Sequence, residues 1–216
     1  MTDTPVHEND DDPAAATATV LPAAPDLVVG DDGRPRCAWA GTDPGYVAYH
    51  DDEWGRPLRD ERRLFELLCL ESFQSGLSWA IILRKRPGFR EAFEGFDPER
   101  VAAYGEPDVE RLLGDARIVR NRAKVEATVG NAQAVLALHE AGTTLVDTVW
   151  SHAPDRGGAK RADALRELPA STPGSTALSK DLRARGFRFV GPVVAYALMQ
   201  SAGLVDDHVR GCWRAE

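Results

Sequence analysis

Apolar positions over residues 61–76 recur at helical spacing, with Leu64, Phe65, Leu67, Leu68 and Phe73 forming a broad stripe. Asp60 stands where it can cap a helix beginning at Glu61, and Gly76 is placed to stop it. Residues 77–86 read as a second helix, ended by Pro87-Gly88. Shorter helices are expected to begin at Pro98 and Pro107, with proline in the first turn. Arg122 to Glu140 reads as a long helix that turns Val125, Val129, Ala132, Leu136 and Leu138 inward. Residues 153–175 are rich in Gly, Pro, Ser and Thr and read as loop, apart from a helical piece over 161–167. A helix over 179–185, a turn over 186–191 and an apolar helix over 192–202 follow. Trp39, Tyr46, Tyr49 and Trp54 fall in one segment broken by Asp43-Pro44-Gly45, which predicts an aromatic-rich loop with at most short helical turns. No stretch alternates convincingly with period two and no repeat is present, so the predicted fold class is all-α.

Composition changes this picture mainly at the N-terminus. The hydrophobic fraction of 43% over 216 residues suffices for one domain, or one compact unit of two lobes. No apolar run is long enough to span a membrane, and no basic segment followed by an apolar block marks a secretory signal, so a cytosolic (cytoplasmic) protein is expected. The net charge of −8 argues against nucleic-acid binding until it is located. Eight of the 34 acids (Asp3, Glu8, Asp10, Asp11, Asp12, Asp26, Asp31 and Asp32) lie in residues 1–32, which hold no Lys or Arg. The remaining 26 acids balance the 26 Lys and Arg, and a neutral body can carry a basic face. Residues 1–34, with no aromatic residue, read as a disordered acidic tail without a specific role, and residues 35–216 as the folded domain. Without coiled-coil or repeat pattern, the domain is expected to be a monomer.

Three cysteines, Cys37, Cys69 and Cys212, an odd count, argue against a disulfide framework in a cytosolic chain. Cys69 lies on the apolar face of the first long helix and reads as core. His208 and Cys212 are four residues apart, which on a helix puts both on one face. With Cys37 and His50 they make up the Cys₂His₂ set that structural zinc prefers. The spacing is not that of a standard zinc finger, so a metal clamp and four unrelated core residues both remain open at this point.

The longer motifs decide more. Arg36-Cys37-Ala38-Trp39 and Tyr46-Val47-Ala48-Tyr49-His50-Asp51-Asp52-Glu53-Trp54-Gly55 resemble the opening of bacterial DNA-3-methyladenine glycosylase I. Leu70-Glu71-Ser72-Phe73-Gln74-Ser75-Gly76-Leu77-Ser78-Trp79 resembles the base pocket of that family. Gly186-Phe187-Arg188-Phe189-Val190-Gly191, Gly203-Leu204-Val205-Asp206-Asp207-His208-Val209 and Gly211-Cys212 resemble its C-terminal part, so the likeness runs over about residues 36–213. It implies a helix-hairpin-helix glycosylase fold, a structural zinc on Cys37, His50, His208 and Cys212, and excision of 3-methyladenine as free base from alkylated double-stranded DNA.

The resemblance also assigns roles. The lesion is a cation while attached to the sugar, so its leaving group is already good and the enzyme must chiefly extract and orient it. The family's pocket glutamate falls on Glu71, a carboxylate on an apolar helix face that a cationic base can pair with; the competing reading is a solvated or salt-bridged surface acid. Tyr46, Tyr49 and Trp79, with Trp39 shared between core and pocket, supply flat faces, and Trp54 reads as mostly core. Gln74, Gly76 and Leu77 are placed to approach DNA, with Leu77 as a wedge into the gap left by a flipped nucleotide. Arg188 and Gly191 belong to a hairpin that offers amides to a phosphate, with Lys180, Arg183 and Arg185 nearby. Phe189 stands where many such hairpins have glycine, and Arg117 and Ala123 replace glycines common in the family. Asp206 reads either as a catalytic carboxylate that stabilises the sugar cation or as an N-cap for the segment carrying His208. Two other functions compete: a zinc-stabilised protein that detects lesions without cutting, and a zinc hydrolase using His50 and His208. The second needs an open metal position, which four protein ligands would fill.

Overall fold

The computed structural model describes residues 26–155 and 161–215. Nine α-helices carry the fold among the described residues. They are α1 (Pro44–Asp52), α2 (Glu61–Gln74), α3 (Trp79–Ala92), α4 (Pro98–Ala102), α5 (Glu106–Gly114), α6 (Arg122–Glu140), α7 (Leu145–Trp150), α8 (Pro173–Ala184) and α9 (Pro192–Ser201). The centre is α2, in which every residue from Leu64 to Phe73 is buried. It packs against α3, α6, α7 and α9, and α8 packs against α9 as a helical hairpin. A helix buried on all sides must partner its polar residues internally. Glu66 accepts from Arg86 Nε at 2.5 Å and Arg90 Nε at 2.8 Å, and Ser72 donates to the Leu68 and Phe189 carbonyls. Among the described residues no cation pairs with Glu71.

Local chemistry sets most boundaries. Asp60 accepts from Arg63 N at the start of α2, Asp97 caps α4 ahead of Pro98, and Asn121 caps α6 at Lys124 N. The departures from the sequence reading have physical causes. First, Leu27–Val29 (β1) pairs antiparallel with Pro35–Cys37 (β2), with Leu27 opposite Cys37 and Val29 opposite Pro35. Residues 26–34, read as tail, therefore belong in part to this pairing, while residues 1–25, His7 included, lie outside the described residues. Leu27 packs with buried Cys37, Val209 and Cys212, and Asp26 accepts from Leu165 N at 2.7 Å. Second, the aromatic segment contains a true helix, α1, started by the Asp43 cap on Tyr46 N.

Third, α3 runs through Pro87. A proline inside a helix costs about 3 kcal/mol, but stopping there would leave Phe89 and Phe93 outside the core, where both are fully buried. Gly88 permits the packing, since a Cβ there would stand 2.6 Å from Arg117 Cβ. Fourth, α8 starts at Pro173 rather than 179, because Thr172 and Ser175 exchange hydrogen bonds in a capping box. The 161–167 piece shrinks to a single 3₁₀ turn at Leu165–Glu167, and α7 arises where no helix was expected. Finally, residues 205–212 form turns rather than a helix, so His208 and Cys212 meet by chain reversal, with Cys212 N bonded to the Val209 carbonyl at 3.0 Å.

Candidate functional site

A cleft of about 220 Å³ opens between α1, the C-terminal end of α2, the start of α3 and α9. That is smaller than the roughly 300–1,000 Å³ of sites for drug-sized ligands and suits one flat ring system. Trp39, Tyr46, Tyr49, Trp54, Glu71, Gln74 and Trp79 line it, with Leu168, Ala197 and Gln200. The cap on α1 places Tyr46 and Tyr49 on one helix face, three residues apart. The rings interlock: Trp39 lies 5.4 Å from Tyr46 and 4.9 Å from Trp54, and Tyr49 lies 5.3 Å from Trp79. The Trp79 indole N–H is buried without a hydrogen-bond partner.

Glu71 enters this slot from α2 and is only 5% exposed. Burial pushes its carboxyl up to about 8, opposed by a hydrogen bond to Ser201. Burial, with the Glu71 charge as a lesser cause, pushes both the Tyr46 and Tyr49 hydroxyls up. The tyrosines therefore stay neutral donors, and the pocket's charge is decided at Glu71 alone. Such a cavity favours a planar cation, which can stack on the indole faces and supply the counter-charge that Glu71 lacks.

Behind the pocket, Cys37, His50, His208 and Cys212 form a buried cluster whose ligand atoms all lie within 4.8 Å of one another, an arrangement that could hold a metal ion. Cys212 Sγ lies 3.4 Å from His50 Nε2 and 3.6 Å from His208 Nδ1, and Cys37 Sγ lies 3.7 Å from His208 Nδ1. The outward nitrogens are held: His50 Nδ1 meets Asp51 Oδ1 at 2.7 Å, and His208 Nε2 meets the Trp54 carbonyl at 3.3 Å. Asp51 in turn accepts from Arg36 and from Trp213 Nε1. Trp39 touches His50 (5.1 Å) and Trp54 touches His208 (4.6 Å), so the cluster directly backs the aromatic wall.

Other candidate residues fall in three places. Gln74 is half-buried on the pocket wall, while Gly76 (φ 84°) and Leu77 are exposed beside it. The turn between α8 and α9 exposes Arg188 and carries Gly191 as the α9 N-cap. Phe189 has a φ of 56°, a conformation unusual for a side chain of its size, yet both sides of the turn are pinned. Asn131 accepts from Arg188 N and donates to the Arg188 carbonyl, while Ser72 holds the Phe189 carbonyl. Lys180, Arg183 and Arg185 are exposed nearby. Asp206 lies apart from the pocket, in a separate cleft: it pairs with Arg161 Nη2 at 2.7 Å and accepts from His208 N at 3.2 Å. It braces the turn carrying His208, not a helix. Cys69 is core, His139 is exposed beside Glu61, and His152 is half-buried against Asp181.

Besides Leu168 and Ala197 on the pocket wall and Ser201 against Glu71, two residues with a larger part escaped the sequence reading. Gln200 is the polar end of an otherwise apolar helix, and that isolation was its only signal. Lys124 is buried and donates to the Phe73 and Ser75 carbonyls at 2.8 and 2.7 Å, tying down the segment ahead of Leu77; nothing local in the sequence marks so distant a contact.

The sequence pattern of the methyladenine glycosylase family matches residues 39–215. DNA-3-methyladenine glycosylase 1 of Escherichia coli (strain K12) is 51% identical over 177 residues, 82% of this chain and 95% of that protein. A crystal structure of 3-methyladenine DNA glycosylase I superposes with a TM-score of 0.81 at 48% identity, covering 84% of this chain and all of the other. A Staphylococcus aureus 3-methyladenine DNA glycosylase I, studied for 3-methyladenine recognition, superposes at 0.78 with 39% identity over 84% of this chain and 96% of its own.

Proposed function

This chain belongs to the methyladenine glycosylase family, and from that premise we propose that it is a monofunctional DNA glycosylase that releases 3-methyladenine from alkylated double-stranded DNA by hydrolysing the N-glycosidic bond. The observation that carries this reading is Glu71, a buried carboxylate with no cation of its own among the described residues, set in a slot of indole and phenol rings. A methylated adenine brings the missing positive charge. Neutral adenine does not: below about pH 8 it leaves Glu71 protonated, so no ion pair adds to its binding, whereas the cationic base favours the ionised carboxylate. Trp79 and Trp39 stack on the base, a contribution of about 2 kcal/mol in a desolvated site, while Tyr46 and Tyr49 offer hydroxyl donors. As the glycosidic bond breaks, the base leaves as a neutral purine, so orientation and exclusion of normal bases dominate over acid catalysis.

The DNA face of this reading combines the α2–α3 connection with the α8–α9 turn. Leu77 is the wedge that fills the space of the flipped nucleotide, with Gln74 and Gly76 beside it. The α8–α9 unit acts as a helix-hairpin-helix element, with Gly191 at the α9 N-terminus and Arg188 meeting the phosphate backbone. Asp206 is assigned to bracing the metal turn rather than to the sugar. The enzyme acts as a monomer in the cytoplasm.

We assign the buried cluster to structural zinc. Zn–S bonds near 2.3 Å and Zn–N bonds near 2.0–2.1 Å imply tetrahedral S···N separations of about 3.6 Å, close to the 3.4–3.7 Å found between these sulfurs and nitrogens. Asp51 on His50 is the carboxylate partner that zinc-ligating histidines commonly have. When bound, the metal supplies cross-linking, not water activation, because four protein ligands fill its coordination. The same filling argues against the zinc-hydrolase reading. Release of free 3-methyladenine from methylated duplex DNA tests the function. Wild type is expected to release it, and Glu71→Gln to do so roughly 100-fold more slowly, the loss of a buried charge pair worth about 3 kcal/mol, with unchanged circular dichroism. Equal rates for the two proteins would exclude the assigned role of Glu71.

A further inference from the structure

Gln200 lines the pocket with Glu71, and its side chain is held from outside the pocket. Its Nε2 donates to Asp207 Oδ2 at 2.8 Å. The hydroxyl of Tyr196, one helical turn earlier on α9 and almost fully buried, donates to the same oxygen at 2.5 Å. A carboxylate only accepts hydrogen bonds, so Asp207 forces the NH₂ end of the amide toward itself. The carbonyl oxygen is the polar atom left for the pocket. Rotating the amide would set that oxygen against a carboxylate, an unpaired contact that costs more than the original bond gained.

We propose that Asp207 and Tyr196 are positioning residues that lock Gln200 with its carbonyl oxygen toward the base, making Gln200 a specificity residue that selects 6-amino over 6-oxo methylated purines. This rests on the base pocket proposed above and deepens it. Two acceptors, Glu71 and Gln200, then face the base. An exocyclic amino group has two N–H donors to offer them, whereas a 6-oxo group presents lone pairs to both. A site built to hydrogen-bond a donor rejects an analogue lacking it, because its own acceptor is left unpaired.

The experiment measures both bases released from one sample of methylated duplex DNA, so that the ratio of 3-methyladenine to 3-methylguanine excision rates is internal. Asp207→Asn frees the amide to rotate, because asparagine can offer either a donor or an acceptor. It is expected to lower the ratio about tenfold, the equivalent of one hydrogen bond. Gln200→Met removes the acceptor and is expected to do the same. Combining the two should give no further loss, as residues acting through one another are non-additive, and Tyr196→Phe should shift the ratio in the same direction by less. An unchanged ratio in Gln200→Met overturns the inference even if Asp207→Asn fails to fold. Equal loss of both activities in Asp207→Asn, with a lowered melting temperature, makes Asp207 merely structural and also overturns it. A wild type active on 3-methyladenine with unaltered variants sinks this inference alone; an inactive wild type sinks the proposed function and this inference with it.

Discussion

At position 71 a side chain is held where water would otherwise be its best partner. Burial pushes Glu71 up to about 8 from an ordinary 4.5. In the unfolded chain the same group ionises near 4.5, so between about pH 4.5 and 8 the folded protein binds the extra proton. Stability from this group is therefore fully present below about 4.5, falls as pH rises, and is lost above about 8. Glu71→Gln has no such slope. Relative to wild type, the variant should gain stability from pH 5 to pH 8, by an amount of the order of a few kcal/mol, read from denaturant unfolding at the two pH values. A difference between the two proteins that stays constant from pH 5 to pH 8 would mean that a counter-charge reaches the carboxylate before any ligand does. The helical pattern alone left Glu71 open between a pocket carboxylate and a solvated surface acid; the family resemblance pointed to the pocket, and the structure buries the side chain among the aromatic rings. Gln200 was not legible: its importance depends on Asp207 and Tyr196 holding it from outside the pocket, which no sequence spacing records.

The link between α2 and α3 is the element that must be both exposed and firm. Its apolar tip, Leu77, stands in solvent, and the chain before it is tied by the Lys124 ammonium through the Phe73 and Ser75 carbonyls. Burial pulls the Lys124 pKa down, so the ammonium depends on those carbonyls as they depend on it. Lys124→Met keeps much of the side-chain length but leaves carbonyls at the end of α2 without their donor. It should destabilise the protein by about 2 kcal/mol in urea unfolding. It should also lower kcat/KM for base release beyond the loss in folded fraction, because the segment proposed to enter DNA is no longer fixed. A variant with lowered stability and unchanged kcat/KM would separate this tether from function. Helices whose ends carry their own chemistry, such as α6 behind Asn121 and α2 behind Asp60, were predictable within a residue or two. Those decided by distant packing were not: α3 continues through Pro87 because Phe89 and Phe93 are buried beyond it, and the β1–β2 pairing was hidden by the acidic residues around Leu27–Val29.

On the scale of the whole molecule the buried Cys37, His50, His208 and Cys212 cluster joins segments far apart in sequence to the rear of the pocket. Cys37 and His208 are 171 residues apart in sequence. A cross-link closing a loop of that length removes roughly 5 kcal/mol of unfolded-chain entropy on the disulfide scale, and a metal adds its binding free energy to folding. Trp39 and Trp54 rest on His50 and His208, so loosening the cluster releases the pocket wall as well as the termini. Gly203 tightens the same region: with φ at 71°, a Cβ there would lie 2.3 Å from the Arg56 backbone carbon, so the chain entering the metal turn crosses directly over the α1–α2 connection. With the zinc proposed for this cluster bound, its removal by a strong chelator under denaturant-free conditions should therefore lower the melting temperature by about 10 °C or more, at roughly 2–4 °C per kcal/mol for a chain of this size. It should also change tryptophan fluorescence and weaken binding of free 3-methyladenine together, while the α8–α9 turn, pinned separately by Asn131 and Ser72, keeps much of the affinity for undamaged DNA proposed for it. If base affinity instead survives metal removal while stability falls, the clamp acts on the termini alone and the aromatic wall stands without it.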